Sequence, residues 1–301
     1  MSSKKVDSRI DALMQFHGAD GDPVDLINKL CVGLLDDAGA EVPVDLEVLA
    51  SFRNAHVVHA AQEQAETIHW DGHNFQIRLR DADTTGRQRF SCAHAIVHTW
   101  FFESAGTGSK GRSLDWRSVA EEELCDLGAA ALLLPEAAFR SACPAVVTME
   151  DVLQLAEEFQ ASAESTALRA VSLSATPLAM VVLEMTVKPV EERALAKAQT
   201  HPTLPGFDGP VVAPRLRVVK CFGRGLDFIP HYKSVGDATP LASVIEDDGV
   251  DYVGETGILP GIFRVSARNL PMRRDGGLVD RVVALLAPTP DHRGQPSAGW
   301  R

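Results

Sequence analysis

Two scarcities limit what this 301-residue chain can be. Its five cysteines are odd in number and include no Cys-x-x-Cys pair, so neither a disulfide framework nor a zinc finger is indicated. No apolar run approaches the length of a membrane span, and none follows the polar start at residues 1–8. We therefore expect a cytoplasmic protein without a membrane partner.

The most informative segment contains two histidines four residues apart, His94 and His98. Its largely apolar neighbours predict a helix, with Ser91 as the N-cap. On a helix this spacing places both imidazoles on one face, where they can bind one Zn²⁺. Two core histidines bonded to backbone carbonyls are the alternative that the spacing leaves open. The residue after the first histidine is Ala95, which can neither accept nor return a proton.

A second pair with the same spacing, His69 and His73, has a different interpretation. Asp71-Gly72 lies between them, and apolar residues alternate on both sides, so the pattern predicts a β-hairpin. Histidines that flank a turn do not share a helix face. His56 and His59 lie in another strand-like run, for which a structural or surface role is predicted.

A third metal ligand is expected from the next predicted helix, Trp116–Leu134. Glu121, Glu122 and Glu123 lie in its first half, and Pro135 ends it. A catalytic zinc needs one protein ligand beyond two histidines and leaves its fourth position to water. The alternative is that these carboxylates complement the helix dipole and remain solvated.

Two motifs now resemble a known family. Residues 86–98 (GRQRFSCAHAIVH) and 123–135 (ELCDLGAAALLLP) are similar to the two core motifs of the ImmA/IrrE metallo-endopeptidases. The resemblance implies Zn²⁺ as the cofactor and His94, His98 and Glu123 as its ligands. It also implies that a partner helix-turn-helix repressor is cleaved in a DNA-damage or anti-phage response. In the family's His-Glu-x-x-His motif the glutamate is the general base, and Ala95 stands in its place.

Loss of the base predicts a chain that binds zinc and substrate but cleaves poorly or not at all, since general acid–base help is worth roughly 10²–10⁴-fold. We interpret Ala95 as an engineered Glu-to-Ala change, with a natural pseudoenzyme as the alternative origin. The competing class of function is a non-catalytic, zinc-stabilised module that binds a repressor or nucleic acid. Direct DNA binding through Asp151–Leu173 is disfavoured, because this segment has one arginine against four acidic residues.

A cysteine thiolate could also occupy the open zinc position. Cys92 and Cys125 are each two residues from a predicted ligand, which places them on the far side of their helices. Cys31, Cys143 and Cys221 are not excluded, although packing in the interior is the favoured interpretation for all five.

Charge and composition predict an α+β protein with two domains. Residues 1–208 carry a net charge of −14 and residues 209–301 a net charge of +2, which together give −12. An α-rich, zincin-like metallopeptidase domain with a small β-sheet and a helical bundle precedes a smaller α+β domain, which the family resemblance implies is a GAF-like sensor. The predicted divisions are an N-terminal polar segment and helix (1–24), the metallopeptidase domain (25–174) with its helix-turn-helix-like bundle (150–174), the sensor domain (175–288) and a disordered tail (289–301).

Regular elements are also predicted around a Pro/Gly-rich loop at residues 201–210. They are a strand at Ala179–Thr186, a helix at Val190–Gln199, and strands or short buried segments at Leu216–Phe222, Ile258–Val265 and Val279–Leu286.

Basic and aromatic residues alternate in the second predicted domain, where they suggest a single-stranded nucleic-acid site. The basic residues are Arg215, Arg217, Lys220, Arg224 and Lys233, interleaved with Phe222, Phe228 and Tyr232. Single-stranded DNA is therefore predicted as an activator. An ordinary strand with a solvated basic face is the alternative, and the negative net charge counts against strong duplex binding.

Overall fold

The computed structural model describes residues 8–61, 64, 66–105, 118–200, 212–274 and 277–289. Its mixed α+β architecture agrees with the predicted fold class. The helices are α1 (Ser8–Phe16), α2 (Pro23–Asp37), α3 (Leu46–Phe52), α4 (Thr85–Ser104), α5 (Val119–Leu133), α6 (Glu136–Ala142), α7 (Met149–Glu158), α8 (Ala163–Leu173), α9 (Pro189–Thr200) and α10 (Pro240–Asp247). The strands are β1 (Ala55–Ala60), β2 (Glu66–Trp70), β3 (Phe75–Arg80), β4 (Leu178–Thr186), β5 (Arg215–Arg224), β6 (Gly249–Glu255), β7 (Ile262–Asn269), β8 (Met272–Arg274), β9 (Gly277–Val279) and β10 (Arg281–Pro288).

The chain forms two compact units. One comprises Met1–Cys143 with Leu153–Thr166, and the other comprises Pro144–Val152 with Ala167–Arg301. Helices α7 and α8 therefore contribute residues to both. The predicted domain limits remain predictions, and most of the predicted tail and the loop at 201–210 lie outside the described residues.

The first unit places the histidine helix beside a small sheet. Strand β3 lies in the middle of this sheet, parallel to β1 and antiparallel to β2. Strands β2 and β3 form the predicted hairpin, with Trp70 paired to Phe75. Asp71 accepts hydrogen bonds from the backbone N–H groups of His73 and Asn74, both at 2.8 Å, so His73 lies in a four-residue turn while His69 lies in β2.

Helix α4 is longer than its predicted start at Ser91. It begins at Thr85, with Thr84 at the N-cap, so Ser91 is an interior and buried residue and the predicted N-cap was wrong. Helix α5 begins directly after Ser118, whose side chain accepts a hydrogen bond from the Glu121 N–H. The helix ends before Pro135, as the sequence predicts, and residues 116–117 of its predicted start lie outside the described part.

The second unit is built on a five-stranded antiparallel sheet with the order β5-β4-β10-β7-β6. Inward-facing apolar residues of these strands pack with α10 into one core, centred on residues such as Val181, Ala284 and Val265. The strands at Ala179–Thr186, Leu216–Phe222 and Val279–Leu286 and the helix at Val190–Gln199 are confirmed within a few residues. A GAF-type fold for this unit remains a prediction.

No helix in the described ranges combines the length and the apolar character needed to cross a membrane.

Candidate metal centre

The candidate site lies where α4 packs against α5. His94 and His98 are buried on α4, with relative exposures of 6% and 0%. Their rings are in edge-to-face contact, with centroids 4.7 Å apart. The helices approach closely because Gly128 lies in α5 at the contact, where an added Cβ would come within 2.7 Å of Val97 Cγ2. Two buried imidazoles therefore face a neighbouring helix that can supply ligands.

Glu122, rather than Glu123, faces the histidines. Glu122 Oε1 lies 3.4 Å from His98 Nε2, and Glu122 Oε2 lies 3.5 Å from His94 Nε2. The side chain of Glu123 is exposed. Consecutive helical residues point about 100° apart, so Glu123 is turned away from the histidines that Glu122 faces. The structure therefore places the predicted ligands His94 and His98 together but does not bring Glu123 to them.

Two separations at this site match those between ligands of a tetrahedral zinc ion. Zinc binds nitrogen and carboxylate oxygen at roughly 2.0–2.2 Å, which separates two ligand atoms by about 3.4 Å at a tetrahedral angle. The observed separations between Nε2 and carboxylate oxygen agree with this value. In addition, His98 Nε2 is buried and forms no hydrogen bond within the described structure. A buried polar atom without such a partner is costly, and a metal ion would satisfy it.

The other ring nitrogen of each histidine faces a carboxylate: one is Glu121, among the three candidate glutamates, and the other is Glu66, which the sequence did not indicate. Glu66 Oε1 on β2 lies 2.6 Å from His94 Nδ1. Glu121 Oε1 lies 3.2 Å from His98 Nδ1, and Glu121 Oε2 lies 3.2 Å from Arg9 Nε on α1. Metal-binding histidines commonly donate their second N–H to a carboxylate, which fixes the ring and its tautomer. This arrangement leaves both Nε2 atoms to face Glu122.

Electrostatics at His94 favour a cation. Burial opposes protonation of its imidazole, but the hydrogen bond and charge of Glu66, together with Asp126 and Glu122, outweigh burial and raise its pKa. A site that stabilises an imidazolium when no metal is bound also stabilises a metal cation.

Comparison with known proteins identifies the domain that contains this site. The family model described as "IrrE N-terminal-like domain" (Peptidase_M78) matches residues 54–171, which include both α4 and α5. Residues 54–171 are an IrrE N-terminal-like domain. The family predicted from the two motifs is therefore confirmed.

A solved structure with a similar fold extends the comparison beyond this domain. It is described as a "Mycobacterium tuberculosis transcriptional regulator", with a TM-score of 0.55 and 15% sequence identity. The match covers 93% of this chain and 79% of the regulator. At this identity the likeness is one of fold. No curated protein sequence matches the chain significantly.

Cys125 gives the IrrE N-terminal-like domain a second possible set of metal donors. The potential ligand atoms of His94, His98 and Cys125 lie within 4.8 Å of one another, and Cys125 Sγ is 3.4 Å from His98 Nδ1. The predicted position of Cys125 on the far side of α5 was therefore wrong. That prediction took Glu123 as the ligand, two residues before Cys125, whereas the glutamate that faces the histidines is Glu122, three residues before it. We favour the donor set formed by Glu122 and the Nε2 atoms of the two histidines, because Glu66 and Glu121 already face the two Nδ1 atoms.

Another cysteine near the histidines, Cys92, is poorly suited to bind a metal. Burial, reinforced by the nearby charge of Glu66, raises the pKa of the Cys92 thiol to about 12. A thiol that remains protonated is a poor nucleophile and a poor metal ligand. Cys92 is also fully packed in α4 of the IrrE N-terminal-like domain, with 3% of its surface exposed.

Ala95 is completely buried between the two histidines. Its methyl group supplies no carboxylate at the position that the family motif assigns to the general base. The carboxylates close to the two Nε2 atoms belong instead to Glu122 and Asp126, both on α5. The IrrE N-terminal-like domain thus retains a metal-ligand geometry and lacks the proton carrier of that motif.

The basic residues outside this domain do not form one exposed surface. Arg217 is 4% exposed, and its guanidinium donates to the carbonyl oxygens of Thr186 and Tyr232 and to Glu191. Arg224 donates to the Ser172 carbonyl at 2.7 Å. Arg215, Lys220, Arg224 and Lys233 are exposed, as are Phe222 and Phe228. Arg217 therefore has a structural role, and its buried guanidinium is not available to bind nucleic acid.

Proposed function

We propose that this chain is a metallopeptidase-type regulator that binds Zn²⁺ through His94, His98 and Glu122 and holds a protein partner without cleaving it efficiently. The proposal rests on one combination of features. Glu122 faces the Nε2 atoms of His94 and His98, and the residue at position 95 is a buried alanine. When bound, zinc would polarise a peptide carbonyl and acidify water. The residues themselves would hold the metal, orient it through Glu66 and Glu121, and provide no base at position 95.

The expected partner is a helix-turn-helix transcriptional repressor. This expectation rests on the ImmA/IrrE resemblance, and the fold similarity to a protein described as a transcriptional regulator is compatible with it. Single-stranded DNA remains the proposed activator, acting on the exposed residues Arg215, Lys220, Arg224 and Lys233. The proposed setting is a stress or anti-phage response in the cytoplasm.

Two origins of Ala95 remain within the proposal, and they predict different results of reversion. If alanine was introduced at a glutamate position, Ala95→Glu restores a working peptidase. If the chain is a natural non-catalytic module, its other residues have diverged, and the revertant binds metal and partner but remains inert.

The test uses the full zinc-loaded chain and a repressor encoded by a neighbouring gene. We expect the Ala95 protein to bind the repressor and leave it intact, and Ala95→Glu to cut it at a defined bond seen by mass spectrometry. Ala95→Gln is the matched control, since it has the same side-chain shape and no basic carboxylate. Cleavage by the glutamine variant would exclude position 95 as the source of the base. A folded, zinc-loaded glutamate variant without activity would favour the non-catalytic module.

A further inference from the structure

A second carboxylate on α5 reaches the same histidine nitrogen as Glu122. Asp126 Oδ1 lies 3.4 Å from His94 Nε2, and Glu122 Oε2 lies 3.5 Å from the same atom. Asp126 follows Glu122 by four residues, just as His98 follows His94 by four residues on α4. Each helix therefore presents an i, i+4 pair of potential ligands to the other.

The distances indicate ligands around a shared metal rather than a direct ion pair. A hydrogen bond between a charged donor and acceptor usually closes to about 2.7–2.9 Å. Glu66 approaches the other nitrogen of His94 to 2.6 Å, so this ring does form a short contact where a direct partner is present. By contrast, the carboxylate oxygens of Glu122 and Asp126 lie 3.5 Å and 3.4 Å from His94 Nε2. This is the separation of about 3.4 Å expected between two ligands of one tetrahedral zinc ion.

Charge also favours a cation between these groups. Like charges four residues apart on a helix destabilise it, and Glu66 and Glu121 add two more carboxylates around the histidines. A divalent ion bound by Glu122 and Asp126 would offset this repulsion.

We propose that Asp126 is a fourth protein ligand that closes the metal site and holds it latent. Structural zinc sites have four protein ligands, whereas catalytic sites leave one position to water or substrate. The Asp126 side chain is 62% exposed, compared with 35% for Glu122. Asp126 is therefore the ligand that an incoming carbonyl or anion can displace. This inference rests on the metal centre of the proposed function and adds a second barrier to catalysis beside Ala95.

The test replaces the metal with Co²⁺ in the full Ala95 chain and adds azide, a small anion that needs an open coordination position. The visible absorption of Co²⁺ reports its coordination number and its response to the anion. We expect Asp126→Asn to bind azide about tenfold or more tightly than the parent, because the parent must first release its own ligand. Glu123→Gln is the control, because it removes one negative charge from an exposed position on the same helix. It should bind azide as weakly as the parent does.

The outcomes separate this inference from the proposed function. Failure of the parent to bind one equivalent of Co²⁺ or Zn²⁺ would overturn both. Full metal binding with equal azide affinities in the parent and Asp126→Asn would overturn only the closing role of Asp126. A sulfur-to-cobalt charge-transfer band that disappears in Cys125→Ser would assign the fourth position to Cys125 and also overturn it.

Activity provides an independent comparison. If Asp126 closes the site, Ala95→Glu combined with Asp126→Asn should cleave the repressor faster than Ala95→Glu alone. A slower double variant at equal metal content would contradict the proposal.

Discussion

Glu66, in the edge strand β2, lies 2.6 Å from His94 Nδ1 through its Oε1 atom. The sheet of the first unit therefore contacts the candidate metal centre and holds one of its proposed ligands. Because Glu66 occupies Nδ1, the proton of a neutral His94 is held on that nitrogen and Nε2 is left to bind a metal. The carboxylate of Glu121 lies in the same relation to His98, at 3.2 Å, and Arg9 neutralises it from α1.

The first prediction follows from this contact. Glu66→Gln should weaken zinc binding by about 10–100-fold, as expected for loss of a carboxylate that orients a ligand. The affinity can be measured by competition with a coloured chelator. Glu123→Gln removes an equal charge from an exposed position and should leave the affinity unchanged. Equal affinities in Glu66→Gln and the parent would show that Glu66 does not orient His94.

Local sequence patterns predicted where the two histidines of the candidate site lie. The spacing of His94 and His98 in an apolar segment indicated a buried helix face, which the structure has. The turn residues Asp71-Gly72 correctly indicated that His69 and His73, despite the same spacing, belong to a β-hairpin. The choice of Glu123 came from matching a motif, without applying the same four-residue spacing to α5. That spacing excludes Glu123, which Leu127 follows four residues later, and leaves Glu121 with Cys125 and Glu122 with Asp126. In the structure both Glu122 and Asp126 face His94.

Other parts of the site had no local signal. Glu66 is 28 residues from His94, and only the pairing of β2 with β3 brings it to α4. Arg9 is more than 100 residues from Glu121, and their ion pair depends on how α1 packs against α4. Contacts of this kind depend on tertiary structure, so neither composition nor periodicity predicts them.

The second prediction concerns the close approach of the two helices that bear ligands. An added Cβ at Gly128 would lie 2.7 Å from Val97 Cγ2 and 3.0 Å from Ile27 Cγ2, and a β-branched valine has little freedom to move away. Gly128→Ala should therefore lower the free energy of unfolding by about 1–3 kcal/mol through overpacking. It should also weaken zinc binding, because α5 must move away from His94 and His98.

Gly33 provides the matched control in α2. An added Cβ there meets nothing within 4 Å, so Gly33→Ala should raise the free energy of unfolding by about 0.5–1 kcal/mol. Chemical denaturation of both variants, with zinc content measured beside it, gives the comparison. A stabilised Gly128→Ala protein with normal zinc affinity would show that the helices can separate without cost.

The third prediction separates structure from nucleic-acid recognition in the second unit. Arg217 is buried against two backbone carbonyls and Glu191, so Arg217→Ala should lower the free energy of unfolding by about 2–3 kcal/mol. Loss of DNA binding in a variant at this position would therefore report unfolding. Reversal of charge at the exposed positions Arg215, Lys220 and Lys233 should change stability by only about 0.5 kcal/mol each.

The exposed triple variant is thus the sharper test of the proposed DNA activator. If these side chains contact phosphates, the parent should bind single-stranded DNA with an affinity that falls steeply as salt is added, and each lost contact should reduce the slope of log K against log salt by about one. Binding is measured by fluorescence anisotropy at several salt concentrations, with thermal unfolding as the check on structure. An unchanged slope in a folded triple variant would remove these residues from DNA recognition, because counterion release depends on the phosphate contacts and not on the rest of the fold.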